Sequence, residues 1–334
     1  MFLIFDPLYM LLAVLGYLIM FALASTVAPK LANRISGRFS LHVSMLLLAI
    51  LILGISAATI YAILYLSGLY VSFYAILAFV LITNLLIYLI SPYMINLSYG
   101  AKKSEDLQVL VNNVAYKMGM KPPKAVVVNS PPNAFAYGNI LTGKYVAVSN
   151  SLNNMLSKDE LEAVVGHEIG HHKHKDNMVM LLFGILPSVI FYLGYALIRS
   201  SFGDDRRGIQ LAIAGIAAVL VSFVVQILVL AFSRLREYYA DFEGTLVAGK
   251  EAMQSSLAKI HLFYHRYPQL SEQIAESKFR TLFIYALVNA AANPFTRYEI
   301  ERLKNMKVSP LEEFLSTHPP LPKRLKFIDS IKIR

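Results

Sequence analysis

Apolar positions in this chain come in long blocks divided by short polar ones. No Asp, Glu, Lys or Arg lies between Arg38 and Lys102. A membrane-crossing helix needs about 20 apolar residues, so this stretch holds two. The pattern predicts them over 42–66 and 70–95, divided near Ser67-Gly68. Pro7 to Val27 is another apolar run. It has no basic leader and no small-x-small cleavage site, so it reads as a span and not as a removable signal. Asn177–Ile198 and Gly208–Ser233 are also uncharged, and their length argues against a hairpin buried in a soluble core. Five spans are expected. Between the blocks the period changes. Ser104 to Met118 reads as an amphipathic helix, with apolar Leu107, Val109, Leu110, Val111 and Val114. Ala125–Val128 reads as a strand. Ile140-Leu141 and Tyr145–Val148 flank Gly143 and read as a hairpin. From Arg234 onward the chain reads as mostly helical.

Composition agrees with a membrane protein: 56% of residues are hydrophobic and 16% charged, against about 25% charged in soluble domains. There is no cysteine, which excludes disulfides and thiolate metal sites. The formal charge of +10 is scattered and carries no nucleic-acid-binding motif, so no nucleic-acid partner is expected. Its clusters flank the apolar blocks: Lys30, Arg34 and Arg38; Lys102 and Lys103; Arg234 and Arg236. The positive-inside rule then places the N-terminus outside and the polar segments in the cytoplasm of a multi-pass cell-membrane protein. The loop Ser200–Arg207 is the discordant one, mixing Asp204 and Asp205 with Arg206 and Arg207. No span carries an ionisable residue apart from His42 near an end, which disfavours a transporter.

The chemistry concentrates in His167-Glu168-Ile169-Gly170-His171. In a helix, positions i and i+4 share a face, so the imidazoles stand about 6 Å apart in rise and can hold one metal. Glu168, beside the first of them, can act as a base on water activated by that metal, the chemistry of peptide hydrolysis. Ser157 and Glu160 form a capping box that starts this helix. Catalytic zinc usually has three protein ligands. His174 is too far along the axis from His167, His172 points elsewhere, and both read as polar residues at the membrane surface. The third ligand must come from a distant segment. Glu237, just past the last span, is the acid best placed for it, with Asp241 one turn on and able to hold the outer N–H of a ligand histidine. On the residues alone, an exposed interfacial acid pair beside Arg234 and Arg236 is the stronger reading.

The motif, the apolar hairpin after it, and Ser233-Arg234-Leu235-Arg236-Glu237-Tyr238-Tyr239-Ala240-Asp241 together resemble the HtpX-type membrane zinc metalloproteases, relatives of the CAAX prenyl endopeptidases. Asn133-Ala134-Phe135-Ala136, Asp176, and Ser316-Thr317-His318-Pro319-Pro320 with Arg324 extend the resemblance over about residues 100 to 330. Family members often have two N-terminal spans, where three are counted here. The resemblance implies one zinc ion per chain held by His167, His171 and Glu237, Glu168 as general base and then acid, and Asp241 behind a ligand. It places His318 and Arg324 near the site as stabilisers of the oxyanion. Asn133, Ala134, Phe135 and Ala136 would form an edge to which an extended substrate adds as a strand. On the residues alone, Asn133 reads as a turn residue and His318-Pro319-Pro320 as a helix start.

The expected fold is therefore a mainly α multi-pass membrane protein with a small β-hairpin or sheet element. It carries a gluzincin-like zinc metalloprotease domain split by a transmembrane hairpin. Its parts are a membrane domain over 1–100, a first catalytic part over 101–176, the hairpin over 177–233 and a second catalytic part over 234–334. The expected function is a zinc endopeptidase acting on misfolded or damaged membrane proteins, with the lipid bilayer and protein or peptide substrates as partners. A selective prenyl-peptide-type processing protease is the alternative. So is an inactive membrane scaffold, which an intact Glu168 disfavours.

Overall fold

The computed structural model describes residues 38–67, 70–202, 207–267, 297–308 and 318–332. The expected span Pro7–Val27 lies outside these residues. Four described helices are long and apolar enough to cross a membrane. They are α1 (Arg38–Ser67), α2 (Tyr70–Ser98), α6 (Asp176–Ser201) and α7 (Gly208–Ala248). α1 packs on α6 and α7, and α2 packs on α6. Ile52, Val80, Val189, Leu193, Val225 and Phe232 share the apolar cluster between them. α6 and α7 meet backbone to backbone: a Cβ on Gly194 would lie 2.8 Å from the Gly215 carbonyl oxygen. Where lipid removes the hydrophobic drive, such close contact between small residues holds helices together.

α7 continues unbroken for 41 residues. At 1.5 Å per residue it is about 60 Å long, twice the hydrocarbon thickness of a bilayer. Its second half therefore leaves the membrane inside the polar domain, carrying Glu237 and Asp241. No turn separates the expected membrane hairpin from the segment after Ser233.

The polar domain begins with a short strand β1 (Lys102–Lys103) and α3 (Glu105–Lys117). The Ser104 hydroxyl caps α3 by accepting from the Leu107 N–H. Leu107, Val111, Val114 and Ala115 bury its inner face. β2 (Lys124–Val128), β3 (Ala134–Asn139) and β4 (Gly143–Ser149) complete a four-stranded sheet in the order β1-β2-β4-β3. β2 runs parallel to β4 and β3 antiparallel to it, with Ala134 opposite Val148 and Asn139 opposite Gly143. This corrects the expected hairpin. Ile140-Leu141 is the turn, and the first strand is Ala134–Asn139 before it, where Ala134, Ala136, Gly138 and Asn139 dilute the strand preference of Phe135 and Tyr137. The Asn139 side chain shapes the turn, accepting from the Leu141 and Thr142 N–H groups at 2.9 Å each. Gly138 is required there, because a Cβ would meet the Gly143 carbonyl oxygen at 2.1 Å.

α4 (Asn150–Met155) leads into α5 (Lys158–Lys173), which packs on α7. α8 (Lys250–Arg266), α9 (Arg297–Lys304) and α10 (Leu321–Ser330) close the domain. One apolar cluster joins α3, the sheet, α5, the end of α7, α8 and α10.

The α5–α7 crossing is made close by glycine. A Cβ on Gly244 would meet the Ala163 carbonyl oxygen at 2.6 Å and the His167 nitrogen at 3.2 Å. Gly166 lies against Gly244, and Gly170 against Ala240 and Glu243. Gly244→Ala should overpack this contact and cost about 1–3 kcal/mol. The check is thermal unfolding of the purified protein in detergent, with Gly184→Ala as control, since nothing lies within 4 Å of a Cβ there.

Candidate metal centre and active site

α5 starts at the predicted capping box. The Ser157 N–H donates to Glu160 Oε2 at 2.8 Å, and the Glu160 N–H donates back to the Ser157 hydroxyl. Glu160 also binds Ser255 and Lys259 of α8 at 2.5 and 2.6 Å. Buried Leu161, Val164, Val165 and Ile169 anchor the helix in the core, with His167 and His171 facing α7.

His167 Nε2 and His171 Nε2 are 3.2 Å apart. Glu237 reaches both from α7: Oε2 is 3.6 Å from His167 Nε2 and Oε1 is 3.6 Å from His171 Nε2. Their ligand atoms all lie within 4.8 Å of one another, in the one such group found among the described residues. Two nitrogens bound tetrahedrally at zinc distances lie roughly 3.3 Å apart, so the observed spacing fits a shared ion. The outer ring nitrogens are held as well. His171 Nδ1 is hydrogen-bonded to Asp176 Oδ2 at 2.6 Å, and His167 Nδ1 lies 3.0 Å from Asp241 Oδ1. Such carboxylates fix the tautomer that turns Nε2 towards a metal. Burial works to lower the His167 pKa, but the Asp241 and Glu237 carboxylates overcome it and hold the ring up at about 9. A metal entering here displaces that proton.

Glu168 is buried, and its Oε1 has no hydrogen-bond partner among the described residues. Burial raises its pKa, opposed by His167 and His171. Its carboxylate also accepts a hydrogen bond from the backbone of Ala136, which ties it to β3. β3 is the outer strand of the sheet; Ala134, Phe135 and Ala136 are its buried start, and buried Asn133 directly precedes it. The Asn133 N–H donates to the Ser149 hydroxyl at 2.9 Å.

His318 comes in from just before α10, with Nδ1 2.9 Å from Glu237 Oε2. Arg324, on α10, is fully buried and differs from its expected place. Its Nε and Nη2 donate to the two oxygens of Asp241 at 2.8 and 2.5 Å, so its fork is aimed at that carboxylate and not at a reacting carbonyl. His172 departs from the surface position expected of it. It is buried, its Nε2 is 2.8 Å from the Tyr145 carbonyl oxygen, and burial pushes its pKa down to about 4. His174 is half-buried and pairs with Glu243 at 3.2 Å.

Two site residues had no role on sequence grounds. Asp176 is five residues after His171 and off its helical face. The left-handed turn at Lys175, with φ of 56°, brings it back under the imidazole. Arg236, which reads as membrane-flanking charge, donates from Nη2 to the same Asp176 oxygen at 2.9 Å.

The profile of peptidase family M48 matches residues 101–332. The chain belongs to peptidase family M48. It is similar to a protease HtpX homolog of Archaeoglobus fulgidus, 71% identical over 98% of both chains. It is also similar to one of Pyrobaculum calidifontis, 52% identical over 99% of both. Among solved structures it resembles the crystal structure of S. mikatae Ste24p. The TM-score is 0.52 at 20% identity, covering 87% of this chain and 67% of that one, a likeness of fold. With four apolar helices and a buried His-His-Glu cluster, this M48 member is a multi-pass, membrane-embedded metalloprotease with protein or peptide substrates.

Proposed function

We propose that the chain is a zinc endopeptidase that hydrolyses misfolded or damaged membrane proteins, with its catalytic domain in the cytoplasm. The observation that carries the reading is the His167–His171–Glu237 cluster beside a buried Glu168, whose Oε1 has no hydrogen-bond partner among the described residues. His167, His171 and Glu237 would hold one zinc ion, a donor set zinc favours. The ion, when bound, supplies Lewis acidity that activates water and polarises the scissile carbonyl. Glu168 takes the proton of the attacking water and gives it to the leaving amine nitrogen. Its burial favours this work, because the raised pKa brings it nearer to neutrality. Asp241 and Asp176 keep the two imidazoles in the ligating tautomer. Arg324 acts through Asp241 as a positioning residue, and Arg236 acts likewise through Asp176. His318 stands on the Glu237 side and would donate to the oxyanion.

The outer strand β3 suits substrates of varied sequence, since strand addition reads backbone and not side chains. The Asn133–Ala136 segment would receive the substrate next to Glu168. Basic Lys102 and Lys103, just past α2, support a cytoplasmic domain.

Glu168→Gln should abolish hydrolysis of an unfolded protein substrate while leaving the metal bound. Near-wild-type turnover would remove Glu168 from the reaction.

Glu237→Ala should release zinc and end activity together, whereas Asp241→Ala should weaken binding about 10–100-fold. Zinc per folded protein, measured in detergent, distinguishes them. Full occupancy in both variants would take this part of α7 out of the site.

Single cysteines in this cysteine-free chain test orientation. Tyr116→Cys should resist an impermeant thiol reagent in intact cells and Phe202→Cys should react, both residues being exposed. The reverse pattern would invert the topology.

A further inference from the structure

The outer strand β3 does not hang free beside the membrane domain. It lies along the last three turns of α2 and runs back towards the bilayer. The Phe135 ring is 5.7 Å from that of Tyr99. The Tyr137 hydroxyl is 2.5 Å from Asn96 Oδ1. The Asn139 amide donates to the carbonyls of Tyr88 and Leu89 at 2.9 and 3.0 Å. The last contact has a specific cause. Pro92 lies inside α2 and has no N–H, so the Tyr88 carbonyl four residues earlier lacks its helical partner. Asn139 supplies one.

From Tyr99 back to Tyr88 is about 16 Å along the helix axis. The turn after Asn139 therefore stands level with Leu85, Leu86, Ile87 and Ile90 of α2. Those four are 51%, 52%, 62% and 51% exposed within a membrane-crossing helix, so they form a lipid-facing band. The turn itself presents Ile140 and Leu141, 84% and 68% exposed. Its polar backbone is already provided for by the Asn139 side chain, as insertion into an apolar phase requires. Behind the apolar point sit basic and tyrosine side chains. Lys124 donates to the Thr142 carbonyl at 2.9 Å, Lys144 to the His172 carbonyl at 3.1 Å, and the Tyr137 and Tyr145 rings stack at 5.0 Å. Apolar tips backed by Lys and Tyr are the pattern of a segment seated at a bilayer interface.

We infer that the β3–β4 turn is inserted in the bilayer through Ile140 and Leu141. β3 is then a continuous edge leading from lipid to Glu168. A substrate segment leaving the bilayer can pair with it without crossing open water. The insertion stands on contacts with α2. The handover of substrate rests in addition on the function proposed above.

The test uses the full chain in lipid nanodiscs. A polarity-sensitive fluorophore is placed on Leu141→Cys, on Ile87→Cys as a lipid reference and on Tyr116→Cys, 87% exposed, as a water reference. Lipids brominated on their acyl chains should quench the probe at 141 as they quench it at 87. Quenching no greater than at 116 overturns the insertion, whatever the enzyme's activity. For the handover, Ile140→Asp with Leu141→Asp should cut cleavage of a membrane-anchored reporter by roughly tenfold, since carboxylates resist entry into lipid. Cleavage of a soluble peptide in detergent should be unchanged. Equal loss on both substrates, or loss on neither, overturns the handover.

Discussion

The rest of the structure depends on one close approach, that of α5 and α7. Imidazole and carboxylate side chains are short, so a three-residue donor cluster built from two helices requires their backbones nearly to touch. Gly166, Gly170 and Gly244 permit this, and no larger residue would leave Glu237 within 3.6 Å of both ring nitrogens. The apolar cluster on the far side of α5 keeps that helix pressed inward. Burial of aliphatic surface thus supplies the force, and glycine sets the distance at which it stops.

A cluster of this kind collects charge in a region of low dielectric. Asp176, Glu237 and Asp241 are all buried, as is Glu168. Uncompensated burial of any one would be costly. The structure answers with one cation per supporting carboxylate: Arg324 on Asp241 and Arg236 on Asp176. Among the described residues, the groups within 4 Å of the Glu237 carboxylate that can carry positive charge are the histidines His167, His171 and His318. The charge it carries therefore faces the ligand nitrogens, the place where a divalent ion would neutralise it.

How much of this could be read in the sequence follows from how local each feature is. The spacing of His167 and His171 is a property of one helix, so it was legible, as were the capping box at Ser157 and the uncharged blocks that became α1, α2, α6 and α7. Glu237 sits 66 positions beyond His171, and composition alone cannot join the two; only the order of motifs along the chain pointed to it. Asp176 depends on one residue in a left-handed conformation, which Lys175 does not advertise. β3 is hard to read because Ala134, Ala136, Gly138 and Asn139 interrupt the strand signal of Phe135 and Tyr137, and what makes the segment a strand is pairing with β4. His172 reads as an exposed polar residue because its partner is a backbone carbonyl, which has no signature in side-chain sequence. Arg324 was legible as a site residue, but not its direction: an arginine beside a reacting centre and one locked onto a supporting carboxylate look alike until α10 is in place.

The division of the donors across the membrane hairpin also governs when the enzyme comes into being. His167, His171 and Glu168 leave the ribosome before α6 and most of α7, and Glu237 after them. A nascent chain exposing the His-Glu-x-x-His helix therefore holds two of the three members of the donor cluster and lacks the third. Glu237 arrives only as the far end of a helix whose first half must already lie beside α6 in lipid. His318 and Arg324 come later still. Without α7 across α5, the cluster of His167, His171 and Glu237 is incomplete. The order of the segments along the chain thus makes completion of the cluster the last consequence of placing the membrane hairpin.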